Sequence, residues 1–110
     1  MNETGISGNI AEHFGSLRDP RHDRTRIHKL IDILVITICA IICHADSWEE
    51  VEAYGRAKEV WLRTFLDLEH GIPSHDTFNR FFAALDAAEF ERCFLSWVKT
   101  IHQRTQGEVI

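Results

Sequence analysis

Apolar residues recur along the chain at the spacing of helix faces. Ile10, Phe14 and Leu17 lie one above another on a helical face, with Ser7 placed to cap that first helix. Asp19-Pro20-Arg21 then breaks the chain, because the residue before a proline is pushed out of the helical region. The run from Leu30 to Cys43 is apolar all round except for Asp32. Its Ile and Val content favours a strand and its length a helix; length decides, and a helix with no polar face belongs at the centre of a bundle.

Ser47 with Glu50 forms a capping box, followed by Trp48, Val51 and Tyr54 at helical spacing. A second stripe, Trp61, Phe65 and Leu68, lies about 100° or more around the axis from the first, which predicts a break near Gly55 to Ala57. The loop 69–73 ends this hairpin and Ser74 caps the next helix. That helix turns Phe78, Phe81, Phe82 and Leu85 inward and Asp76, Asn79, Arg80 and Ala83 outward. Asp86 with Glu89 starts a final helix that buries Phe90, Phe94, Trp97 and Ile101 and frays around Thr105 to Gly107. Val109 and Ile110, apolar and β-branched, read as the start of a strand. The pattern predicts an all-α, compact bundle of five or six helices around a central apolar helix at about 30–43, with a helical domain over 1–106 and a strand beginning at 107–110.

Composition adds bounds to this picture. A length of 110 residues means one domain or a piece of something larger and excludes a two-domain enzyme. Ile, Leu, Val and Phe number 12, 8, 5 and 7, well above the ~20% share below which chains tend to stay disordered, so a core is expected. The longest apolar run is short of the ~18 to 20 residues that span a bilayer, and the start M-N-E-T-G-I-S-G lacks the features of a signal peptide. Three cysteines without paired spacing argue against a disulfide framework and for the cytoplasm. The net charge of −5 excludes a polycationic nucleic-acid arm. Positive charge is local: between Arg18 and Lys29, five Arg or Lys face Asp19 and Asp23, with His22 and His28 taken as neutral.

Candidate chemistry is sparse. Cys39, Cys43 and His44 approach zinc-ligand spacing, but a fourth ligand is missing and buried thiols acting as small hydrophobes are the better reading, as for Cys93. His22-Asp23 and His75-Asp76 lack the further ligands of a metal-dependent phosphohydrolase, and His75-Asp76 suits a helix's first turn. Pairs such as Glu49-Glu50 and Glu89-Glu91 lie on solvated faces. No catalytic constellation or cofactor site is visible, so no enzyme activity is expected of this chain. The segment Lys58 to Leu85 offers a different chemistry, two helices joined by a turn, the second presenting Asn79 and Arg80, the side-chain types that read adenine and guanine in the major groove. Its turn is longer than that of a helix-turn-helix, and Asp76 faces the phosphates. Arg21, Arg24, Arg26 and Lys29 are the candidate phosphate contacts. The bland alternative pairs these cations with Asp19, Asp23 and the acidic surface of Glu49, Glu50 and Glu52.

Three blocks together carry a family resemblance: F-G-S-L-R-D-P-R (14–21), H-K-L-I-D-I-L (28–34) passing into C-A-I-I-C-H-A-D-S-W-E-E (39–50), and G-I-P-S-H-D-T-F-N-R-F-F (71–82). In this order and spacing the chain resembles, from about Ile10 to Ile110, the N-terminal region of the H-repeat-associated proteins, bacterial insertion-sequence transposases with a DDE (Asp-Asp-Glu) nuclease domain. The resemblance implies a helical region that precedes a Mg2+-dependent nuclease domain. It places Gly107-Glu108-Val109-Ile110 where that domain's first strand begins, so none of the three catalytic acids falls in this chain and no catalytic or metal-binding residue carries over. The implied role is binding of transposon-end DNA or support of the nuclease domain. The rival is a protein-interaction module, docking on that domain or forming a homo-oligomer, or an inactive transposase remnant.

Overall fold

The run beginning at Leu30 is a helix in the computed structural model, which describes residues 10, 12–21 and 27–107, the stretch 101–107 by its backbone only. Helix α1 (Leu30–Ile42) buries every residue from Asp32 to Ile38, and Ala40 as well. Residues 12–14 form a helical turn ahead of it; Ile10, Phe14 and Leu17 are all buried, although helix ends at Phe14 and Leu17 is reached through a turn. Ser7 lies outside the described residues. Four helices follow: α2 (Trp48–Ala57), α3 (Glu59–Leu62), α4 (His75–Ala84) and α5 (Ala87–Gly107). The described residues contain helices, turns and loops without a strand, an all-α fold.

Helix α1 ends in a left-handed residue, His44, at φ 74°. The His44 N–H donates to the Ile41 carbonyl and the Ala45 N–H to the Ala40 carbonyl, both at 2.9 Å, the hydrogen-bond pattern of a Schellman cap. This turns the chain back along α1 into α2. The final turn of α1 is uncovered, with Ile41 and Ile42 exposed, so burial of the apolar run is less complete than its composition predicts. Cys43 is exposed too, and Cys39 half-buried, which corrects the reading of both as buried core thiols; Cys93 is buried.

Asp32 is the polar exception within α1 and does structural work there. It is 3% exposed, and its Oδ2 accepts the Leu68 N–H at 3.3 Å. Burial pushes its carboxyl above the usual carboxylate range. Leu68 sits at φ 46°, a conformation that costs a non-glycine residue, and its side chain is buried. The hydrogen bond and that burial together hold the turn.

The capping box is present with a variation. Ser47 Oγ accepts the Glu50 N–H at 3.1 Å, while the Glu50 carboxylate reaches back one residue further, to the Asp46 N–H at 2.9 Å. Helix α2 packs between α1 and α4. Gly55 makes this possible: a Cβ there would lie 2.8 Å from Ile72 Cγ2 and 3.4 Å from Ile36 Cγ2. The predicted break falls at Lys58, between α2 and α3. Past it the predicted stripe fails in part. Helix α3 is a single turn, so Leu62, Leu66 and Leu68 are buried while Trp61 stays exposed, its ring packed edge-on against Phe65 at 4.9 Å. A continuous helical stripe needs more than one turn.

Ser74 caps α4, its Oγ accepting the Thr77 N–H. Phe78, Phe81 and Leu85 are buried and Phe82 half-buried, with Trp48 stacked on Phe82 at 5.1 Å. Asp86 caps α5 by accepting the Glu89 N–H at 3.0 Å. Trp97 is buried, Phe90 and Phe94 half-buried; the Ile101 side chain lies outside the described residues. Helix α5 does not fray at Thr105 but runs through Gly107, which was expected to open a strand; 108–110 lie outside the described residues. The N-terminal segment holds α5 in place through the pair Phe14–Phe90, a hydrogen bond from the Arg18 N–H to Glu89, and one between His13 and Ser96.

Candidate nucleic-acid interface

Asn79 and Arg80 occupy the exposed side of α4, opposite Phe78 and Phe81, and Asp76, Ala83 and Ala84 are exposed on the same helix. Arg80 forms no ion pair with a described residue. Most arginines nearby in sequence are engaged: Arg56 with Glu52 and Arg63 with Glu59, each at 2.7 Å, one helical turn apart. Helices α3 and α4, the second of which carries Asn79 and Arg80, do not form a helix-turn-helix, because α3 is one turn and residues 63–74 separate it from α4.

The candidate phosphate contacts have diverse surroundings. Arg21 turns inward: its side chain is 10% exposed, it makes a two-pronged pair with Asp19 at 2.8 and 2.9 Å, and it donates to the His28 carbonyl at 2.6 Å. Its guanidinium also lies 5.3 Å from the centre of the Phe81 ring, a cation–π contact. Arg21 therefore ties Asp19 to the His28 carbonyl and lies against Phe81 of α4. Arg24 and Arg26 lie outside the described residues. Lys29 is exposed and hydrogen-bonded to Asp67, which raises its pKa. The pKa of His28 is lowered, by burial first and then by His70 and Arg21, which disfavours its charged form. The arrangement brings one end of the basic segment beside the helix that carries Asn79 and Arg80.

Sequence reasoning placed Glu52 on an acidic surface and missed what it does. One carboxylate oxygen of Glu52 accepts both the His75 N–H at 2.7 Å and, at 2.9 Å, a hydrogen bond with His75 Nδ1, while the other meets Arg56. His75 is the first residue of α4, so an anion from α2 satisfies a free N–H at the positive end of α4. The hydrogen bond from His75, with those from Arg56, holds the Glu52 carboxyl down at about 2, and His75 is raised in turn. Nothing local signals this pairing across 23 positions. The latch ties the N-terminus of α4, the helix that carries Asn79 and Arg80, to α2.

The family model described as DDE_Tnp_1-associated matches residues 11–98. A protein described as "Uncharacterized protein in dhlA 3'region" from Xanthobacter autotrophicus is 46% identical over 98 residues, 88% of this chain and 32% of that one. The "H repeat-associated putative transposase YhhI" of Escherichia coli (strain K12) is 38% identical over 101 residues, 92% of this chain and 27% of its own length. The chain thus spans about a third or less of these two curated relatives. "Inactive transposase YbfQ" of the same strain is 42% identical over 71 residues, 64% of this chain and 84% of that one. No solved structure matches. Among the described residues, no helix is long and apolar enough to cross a membrane.

Proposed function

Since the chain belongs to the DDE_Tnp_1-associated family, a transposase-associated domain, we propose that it is the non-catalytic helical part of a DDE-type insertion-sequence transposase and contacts the DNA ends of the element. Strand cleavage belongs in this reading to a separate nuclease domain with its own converging carboxylates and Mg2+. The observation that carries the reading is the exposed pair Asn79 and Arg80 on α4, with the clamped end of the basic segment stacked on Phe81 beside it. Asn and Arg pair bidentately with adenine and guanine edges. Arg24, Arg26 and Lys29 act on phosphates and set the orientation, Lys29 exchanging Asp67 for a phosphate oxygen. Arg21 holds the loop and makes no DNA contact of its own.

The test is a titration of the chain with transposon-end and random duplexes at two salt concentrations. Arg80→Ala is expected to cost ~1 to 3 kcal/mol on the end sequence and little on random DNA. The triple variant Arg24→Ala, Arg26→Ala, Lys29→Ala should lower affinity for both alike and flatten the salt dependence. Absence of binding to either duplex at low salt, or binding that both variants leave unchanged, overturns the DNA reading in favour of support for the nuclease domain.

A further inference from the structure

Among its described side chains, helix α5 is packed on one side only. Cys93 and Trp97 are buried, Phe90 and Phe94 half-buried, and Glu89 and Ser96 are engaged by the N-terminal segment. On the opposite side Leu95 is 57% exposed and Val98 41%, two large apolar residues one turn apart on the outside of a small domain. At 100° per residue Leu95 marks the middle of this outer face, with Glu91 one turn before it and Lys99 one turn after, both exposed. Neither forms an ion pair with a described residue.

We propose that this face pairs with the same face of a second copy of the chain, α5 against α5, antiparallel, about a two-fold axis at Leu95. The charge pattern selects both the occupant and the direction. In that arrangement Leu95 meets its own counterpart, and Glu91 of each copy lies opposite Lys99 of the other, so a single opposite-charge spacing is satisfied twice by symmetry. A parallel pair would instead set Glu91 against Glu91 and Lys99 against Lys99. Helix α5 has 21 residues, about 31 Å at ~1.5 Å per residue. One helix pair of that length lies at or below the ~1,200 Å² lower bound of standard interfaces, so a weak, concentration-dependent dimer is expected. This contact does not depend on DNA binding.

Sedimentation velocity across a wide concentration range tests the proposal, with circular dichroism confirming that each variant is folded. The natural chain should show a reversible monomer–dimer equilibrium. Leu95→Glu is expected to weaken it by at least about tenfold, and Val60→Glu, on an exposed residue of α3, to leave it unchanged. Glu91→Lys and Lys99→Glu should each weaken self-association, the double variant should restore it, and an equimolar mixture of the two single variants should form the heterodimer. A chain that stays monomeric at every concentration overturns the proposal and leaves the face to a different partner, such as another part of a longer polypeptide. A dimer that Leu95→Glu leaves intact, or that the charge reversals do not affect, also overturns it.

Discussion

Replacing Gly55 by Ala tests how tightly α2 is held against its neighbours. In an exposed helix interior the change stabilises by about 1 kcal/mol, the difference in helix propensity. Gly55 is buried, and its new Cβ would lie 2.8 Å from Ile72 Cγ2, where carbon atoms prefer ~3.5 to 4.0 Å. Ile72 Cγ2 branches from Cβ and cannot swing aside without a change of rotamer, which a β-branched residue resists. Ile72 is itself buried and is followed by fully buried Pro73, so the loop has little room to retreat. Overpacking of this kind costs ~1 to 3 kcal/mol. Less the propensity gain, Gly55→Ala is expected to destabilise by roughly 0 to 2 kcal/mol. The sign should reverse when the obstruction goes. Ile72→Ala alone opens a cavity and costs ~2 to 5 kcal/mol, but in its background Gly55→Ala should stabilise by about 1 kcal/mol or more. Urea denaturation of the four chains, followed by tryptophan fluorescence, measures the coupling directly. A gain of ~1 kcal/mol from Gly55→Ala in the natural background, with no coupling to Ile72, would refute the close approach of α2 to the 71–73 loop.

Three other expectations can be checked on the same protein. Ile38→Ala, at 3% exposure in the middle of α1, should cost ~2 to 5 kcal/mol in urea unfolding, and a loss below ~1 would show that α1 is not the core. His44→Gly should raise stability by roughly 0.5 to 1 kcal/mol, because the left-handed cap strains histidine by more than glycine's extra chain entropy takes back; a fall in the melting temperature would contradict the cap geometry. The Glu52–His75 latch predicts a pH window. Glu52, held at about 2, stabilises the fold above its ordinary 4.5 and loses that contribution as pH falls toward 2. His75, raised above 6.5, stabilises below 6.5 and loses its contribution as pH climbs through the raised value. The gap in melting temperature between the natural chain and Glu52→Gln should therefore be widest between pH 4.5 and 6.5, and a gap flat from acid to mildly alkaline pH would count against the pairing.

Much of the fold was legible in the amino-acid sequence because its signals are local. A cap links residues three positions apart, as Ser47 with Glu50, Ser74 with Thr77 and Asp86 with Glu89 do, and a helix face repeats every three or four residues. These interactions are decided within one turn, so α1, α2, α4 and α5 and their inner faces could be read before any packing was known. Asn79 and Arg80 were legible as outward residues for the same reason. Tertiary structure decided which charged group meets which. Arg21, one of five cations in a basic stretch, is drawn into the Asp19 clamp over Phe81, while Lys29 meets Asp67 and Glu52 meets His75 across 38 and 23 positions. It also decided that α3 stops after one turn, leaving Trp61 outside, and that Asp32 holds the Leu68 turn from within the core. The physical reason is the same in each case. Periodicity states which side of an element avoids water, but the partner of a charge depends on how docked elements bring distant residues within ~4 Å, and that distance exists only after the bundle has packed.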